Sequence, residues 1–283
     1  MGKLALYYGN HADSGALSGG AWTAGLPLTN LQNRMLRRVA RSVDADPAST
    51  QFRVDLGTPL AQQAVCIGPH NGTTALIYRL TAYADAGHAS IIYDSGWSGA
   101  SVVPSLMLEW EDPGFWYGVS TTVMDVQAGG WIIHLMPAVT AQYWQVEFND
   151  AGNPDGYLSF GRLFMAGWWQ PSLNYAPGSN SLSFENRAVT QESIGGVEYH
   201  WCRRDPRVFR CAWPYLPGDE VFGDVYTLLR SVGAGGEVFV IPDPDSLHLQ
   251  RRSFLGRIRS PDPLVQPLVT HHASAGLEIR EIL

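Results

Sequence analysis

Between residues 50 and 170 the apolar side chains fall into short β-type runs, divided by Gly, Pro, Asn and Asp clusters at spacings of about ten residues. Within 143–149, Trp144, Val146 and Phe148 alternate with Gln145, Glu147 and Asn149. A period of two describes a half-buried strand with one wet face. The same reading gives candidate strands at 51–56, 64–68, 75–84, 91–93, 105–110, 130–135, 141–149 and 156–163. So many short strands joined by polar turns bury both inner faces only by stacking sheets. The first half therefore predicts an antiparallel β-sandwich or jelly roll.

The pattern changes after a stretch of Pro, Gly, Ser and Asn that follows Trp168-Trp169, which sets a boundary between domains at 1–172 and 173–283. Beyond it, Val221, Phe222, Val225, Leu228, Leu229 and Val232 make the stripe of an amphipathic helix over 219–232. Asp219 is its expected N-cap, Arg230 sits near the negative end of the dipole, and Gly233 provides the stop. Segments 237–241, 253–259 and 277–282 complete a small sheet for the helix to cover. The chain is expected to be mainly β, a sandwich followed by a smaller β-domain with one helix. One alternative stays open: the N-terminal strand 4–8 can pair with the far C-terminal sheet.

Composition narrows the class. In 283 residues, 45% apolar and 16% charged side chains with 11% aromatics describe a folded chain. The net charge is −7 and Lys3 is the only lysine, which disfavours a nucleic-acid binder with a broad basic face. Cys66, Cys202 and Cys211 are too few and too scattered for a disulfide framework or a four-cysteine zinc site, and read as reduced thiols. The N-terminus lacks the apolar core of a secretory signal, and the run 131–139 contains His134 and Pro137 and is too short for a membrane helix. Neither secretion nor membrane insertion is expected.

Each chemical motif has a plainer counterpart. Ser98 in Gly96-Trp97-Ser98-Gly99-Ala100 is near a nucleophile elbow, but its surroundings read as β and turn rather than strand-to-helix. Glu109 and Glu111 share one side of an extended segment at about 7 Å, near the separation used in glycoside hydrolysis, with Trp110, Phe115, Trp116 and Tyr117 close by to stack on a sugar. The plainer reading is a solvated acidic turn beside a Trp-rich core or subunit contact. His200, Cys202 and Cys211 could meet at a metal, although Arg203, Arg204, Arg207 and Arg210 in their connector would repel a cation. Those arginines, interleaved with Trp201, Phe209 and Trp213, could stack bases, but pairing with acidic groups of a neighbouring subunit fits the overall charge better. Asp243 and Asp245 in a Pro-Asp-Pro-Asp turn need no calcium to explain them. Neither a cofactor nor a metal is expected.

Asn30-Leu31, Arg37-Arg38, Arg41-Ser42, the run from Phe52 to Gly57, His70-Asn71, Tyr143-Trp144 and the run from Gly156 to Leu163 together resemble the discoidin-like, galactose-binding-like jelly-roll modules in tail proteins of bacteriophages and prophages. The resemblance covers roughly residues 20–172. In it Val54 and Leu56 face a core, Arg53 and Asp55 stay wet, Gly57 makes a turn, and Gly161 allows close packing. The second half is similar to the ring-forming β-domain of distal tail and tail-tube proteins. These likenesses imply a non-enzymatic virion component at the phage tail tip, made in the host cytoplasm. It would form a homo-oligomeric ring, six- or three-fold, contacting the tail tube, tape-measure and baseplate hub proteins. The richness in Trp and Tyr suits permanent interfaces. The alternative is a carbohydrate-binding adsorption module that takes host surface polysaccharide on Trp97, Trp110, Trp116 or Tyr117. A glycan-cleaving enzyme using Glu109 and Glu111 is a third reading. The galactose-binding name implies a fold and not a ligand.

Overall fold

The computed structural model describes residues 2–100, 110–111, 130–193, 195–201, 203–233, 235–246, 248–261, 263–265 and 272–283. In chain order the strands are β1 (Ala5–Tyr8), β2 (Ala16–Ser18), β3 (Ala40–Arg41), β4 (Phe52–His70), β5 (Ile77–Tyr83), β6 (Ile91–Asp94), β7 (Ser98–Gly99), β8 (Ile132–Asn149) and β9 (Ser159–Ala166). There follow β10 (Trp168–Trp169), β11 (Ser181–Phe184), β12 (Val189–Glu192), β13 (Glu198–Trp201), β14 (Arg207–Pro217), β15 (Val238–Ile241), β16 (Phe254–Pro261) and β17 (His272–Glu281). The chain is mainly β and divides into two compact units: residues 10–168 with 245–253, and residues 1–9 with 169–244 and 254–283.

The first unit is a β-sandwich built around two long bent strands. The segments 51–56 and 64–68 are expected as separate strands, yet they belong to the single strand β4. Gly57, at φ +75°, and register shifts between Asp55 and Leu60 and between Gln62 and Ala64 bend that strand instead of ending it. In β8 the second shift falls between Leu135 and Val139. The early arm of β4 pairs with β2 and the late arm of β8, and β5 and β6 extend that layer. The late arm of β4 pairs with β9 and the early arm of β8. Phe52, Val54, Trp144, Val146 and Phe148 from one layer meet Val65, Ile67, Ile132 and Phe160 from the other in one buried cluster. Phe148 stacks on Phe160 at 4.4 Å between ring centroids. A Cβ at Gly161 would lie 2.7 Å from the Leu36 carbonyl and from Pro69, so this strand packs closely only with glycine there.

The candidate strand 105–110 falls mostly outside the described residues; Trp110 and Glu111 form a turn. The short helical turn His11–Ser14 is stitched to β9. Asn10 accepts from the backbone of Ala12 and Met165 and donates to Leu163, while Asp13 takes both terminal nitrogens of the fully buried Arg162, at 2.7 and 2.8 Å.

In the second unit the sheet order is β10-β1-β15-β16-β17-β14-β11. Strand β1 pairs antiparallel with β15, Leu6 opposite Val240, and Leu4 and Leu6 are fully buried in this unit's core. Residues 5–8 therefore belong to this sheet, which offers their apolar side chains a paired and covered place. The helix runs over 218–232 with Val221, Val225, Leu228 and Val232 buried, a π segment at Val221–Val225, and Gly233 at φ +55° as its stop. Two details differ from expectation. Asp219 lies inside the first turn, with Pro217 at the cap, and Phe222 is 45% exposed because the wide π turn rotates it off the packed stripe. Among the described residues no helix is long and apolar enough to cross a membrane.

Candidate carbohydrate-binding face

Strand alternation builds the surface. With Tyr78, Leu80 and Ala82 turned into the sandwich, Arg79, Thr81 and Tyr83 of β5 share its outer face. Strand β8 places Tyr143, Gln145 and Glu147 beside them through the pairs Tyr83↔Tyr143, Thr81↔Gln145 and Arg79↔Glu147. Asp94 of β6 lies opposite Thr81.

At one end of this face Asp94 takes two bonds from Arg79, from Nε at 2.9 Å and from Nη2 at 2.6 Å. It also accepts the Gly96 amide at 2.9 Å. Glu147 stands 3.9 Å from the same guanidinium. The bidentate bond holds the Asp94 carboxyl down to about 2 and raises Arg79 further, so both stay charged at any ordinary pH. Gly96, at φ +63°, turns the chain into Trp97, and the pairing Tyr78↔Ser98 brings that residue alongside Arg79. Trp97 is 48% exposed. A half-exposed indole beside fixed donors and acceptors is suited to the C–H face and hydroxyls of a sugar ring.

At the other end three rings cluster. His88 stands edge-on to Tyr83 at 4.7 Å and to Tyr143 at 6.2 Å. Its backbone is left-handed, φ 58°, a conformation otherwise taken by glycines among the described residues. The loop holds it there: Asp85 accepts the amides of Ser90 and Ala89, which lowers its carboxyl pKa, and the His88 ring nitrogen Nδ1 donates to the Ala86 carbonyl at 2.9 Å. Between the two ends, Gln145 donates to Gln51 at 3.1 Å.

Of the aromatic residues singled out from sequence, Trp97 reaches this face. Trp110, 72% exposed, lies in the turn Trp110–Glu111 and makes no ring contact with Trp97 among the described residues. Trp116 and Tyr117 lie outside the described residues, as do Glu109 and Cys202. Arg79, Asp94, Glu147, Tyr83, His88 and Tyr143 are not singled out as site residues by the sequence, although the spacing i, i+2, i+4 in β5 and β8 carries four of them.

Two arginines of the second unit have acidic partners within the chain. Arg207 bonds Glu281 of its own chain through Nε at 2.9 Å and Nη2 at 2.6 Å, and Arg210 bonds Glu278 at 2.7 Å. The register sets Arg210 directly opposite Glu278, so these two charges are matched across β14 and β17. Arg204 is 3.9 Å from Glu281, and Arg203 is exposed. His200 is engaged by Thr190 and Glu198 on an exposed hairpin, whereas Cys211 is buried in β14. Among the described residues no three His, Cys, Asp or Glu side chains are grouped to hold a metal ion. Asp243 accepts the Gly2 amide at 2.8 Å.

No family model matches the chain, and no curated protein does. Among solved structures, it is similar to the family 32 carbohydrate-binding module of C. perfringens NanJ in complex with galactose, with TM-score 0.38 and 11% identity over 57% of this chain and 99% of that one. A Streptococcus pneumoniae fucose binding module, SpX-3, gives TM-score 0.37 and 9% identity over 57% and 99%. SpGH29 gives TM-score 0.35 and 13% identity over 58% of this chain, which spans 28% of that one.

Proposed function

We propose that the sandwich unit is a non-catalytic carbohydrate-binding module that attaches its bearer to surface glycan. The observation that carries this reading is the half-exposed Trp97 indole beside the Arg79, Asp94 and Glu147 group. Stacking would supply affinity and the fixed ion pair would supply orientation. A single ordered aromatic platform supports about a tenfold share of binding, since about 1.4 kcal/mol is a factor of ten. Trp97→Ala is expected to weaken binding on a glycan array by about tenfold while leaving the thermal midpoint unchanged, because the indole contributes little to the core. Absence of saturable binding by the unaltered protein to any glycan on the array would overturn the reading.

A second reading is supported by the other unit: a homo-oligomeric ring protein of a phage tail tip. Every residue of the hairpin strands β12 and β13 is exposed, with Val189, Tyr199 and Trp201 among them. Edge strand β11 exposes Leu182 and Phe184 and has neither proline nor lysine to discourage pairing. Light scattering on the full chain is expected to show a discrete oligomer that Phe184→Ser with Trp201→Ser converts to monomer. A monomer before substitution, at tens of micromolar, would count against the ring.

A further inference from the structure

We infer that this face takes an extended, uncharged polysaccharide chain lying across β6, β5 and β8, with Trp97 as one subsite and the Tyr83, His88 and Tyr143 cluster as another. The inference rests on the carbohydrate-binding reading and adds the class of ligand and a second contact.

The spacing comes first. Arg79, which Trp97 adjoins, and Tyr83 are four residues apart on β5, so the two aromatic ends are separated by about 13 Å along the strand and by about 10 Å across two strand spacings. A single hexose cannot touch both; roughly three pyranose rings laid diagonally across the sheet span that distance. The two ends share one face by register, since Tyr83 lies opposite Tyr143 and Arg79 opposite Glu147 on adjoining strands.

Rigidity comes second. The distant cluster is held in advance of any ligand: Asp85 clamps the loop through two amides, His88 is fixed at φ 58°, and its ring is wedged against both tyrosines. A backbone conformation that disfavours a side chain is retained where surrounding contacts impose it, and such positions recur in ligand-gripping loops. Between the ends Thr81 and Gln145 are buried beneath their larger neighbours, so a bridging chain is held at its two aromatic ends.

Charge selects the class. Arg79 is already matched by Asp94 and Glu147, so the face offers an acidic polymer no unmatched cation there. A uronic-acid chain would meet two carboxylates. A neutral chain meets polar groups whose charges are already balanced.

The test is a length series. Neutral ladders of one to six units, from cello-, malto-, β-1,3-gluco- and β-1,4-galacto-oligosaccharides, would be titrated calorimetrically against the full chain, with oligogalacturonides alongside. For the ladder that binds, affinity is expected to rise at least tenfold from one unit to three or four and then level off. Tyr143→Ala is expected to lower affinity for the trimer and longer chains about tenfold, without changing affinity for the single sugar. Tyr143→Phe, which keeps the ring, should bind as the unaltered protein does, and both variants must keep its thermal midpoint. Equal affinity for one unit and six, or an unaffected trimer in Tyr143→Ala, overturns the extended site and leaves single-sugar binding standing. Tighter binding of oligogalacturonides overturns the uncharged class. If every ladder fails with the unaltered protein, the carbohydrate-binding reading falls with it.

Discussion

Asp13→Ala is expected to destabilise the sandwich unit by about 3 kcal/mol. Arg162 has no exposed side-chain area, whereas Asp13 retains 32%, and across 149 positions of sequence Nη2 donates to Asp13 at 2.8 Å while Nη1 makes an ion contact with it at 2.7 Å. Removing the carboxylate takes away the counter-charge that Asp13 supplies to a guanidinium inside the protein, and burial of an ion is tolerated only when it is paired. The reverse change is milder, because Asp13 freed of Arg162 can rehydrate. Arg162→Met should therefore cost less than Asp13→Ala, and the double variant should recover much of the loss. Urea denaturation would measure the three differences. In a unit of this size the Asp13→Ala midpoint should also fall by about 6–12 °C. A loss below about 1 kcal/mol for Asp13→Ala would show that water reaches the guanidinium.

Acidification is expected to remove about 2–3 kcal/mol from the same unit between pH 6.5 and pH 4. Burial lowers the His70 pKa to about 4, and the opposing pull of Asp150 is the smaller influence. The Gly72 amide donates to His70 Nδ1 at 3.1 Å, so that nitrogen is unprotonated in the folded chain. A histidine with a folded pKa below its unfolded one favours the neutral form. Its contribution is full above 6.5 and disappears as the pH falls to 4, since the unfolded chain takes up the proton first. His134 adds to the trend: burial lowers it too, with Tyr78 and Tyr93 bonded to its two ring nitrogens at 3.0 and 2.8 Å. Asp94, at about 2, stays ionised throughout this window and does not mimic the effect. Denaturation curves at several pH values for His70→Gln, which keeps an acceptor but does not titrate, should be flatter by about the stated amount. Parallel curves for the two proteins would rule His70 out as the cause.

Elements set by neighbours in sequence were legible in advance. The alternation in 143–149 identified the inner residues Trp144, Val146 and Phe148, all buried, and the polar outer ones beside them. The stripe from Val221 to Val232 marked the helix, because its period comes from the backbone itself. What the pattern missed was local irregularity: β4 continues through Gly57 because β8 pairs with it on both sides of the bend, joined by β2 before it and β9 after it, which no window of its own residues reveals.

The candidate face was only half legible. Trp97 stands out in a sequence, but Arg79, Asp94 and Glu147 do not, since charged residues on a strand read as an ordinary wet face until register places them together. The amino-acid sequence by itself determined that the chain is mainly β, where its apolar positions recur, and that one amphipathic helix follows the sandwich, because those depend on geometry repeated every two or 3.6 residues. Only the tertiary structure decided that residues 1–9 join the last strands, that Asp13 neutralises Arg162, and that Arg207 and Arg210 spend their charges within the chain. Those pairings follow from strand register and layer packing, which bring together positions whose separation along the chain carries no trace of their contact.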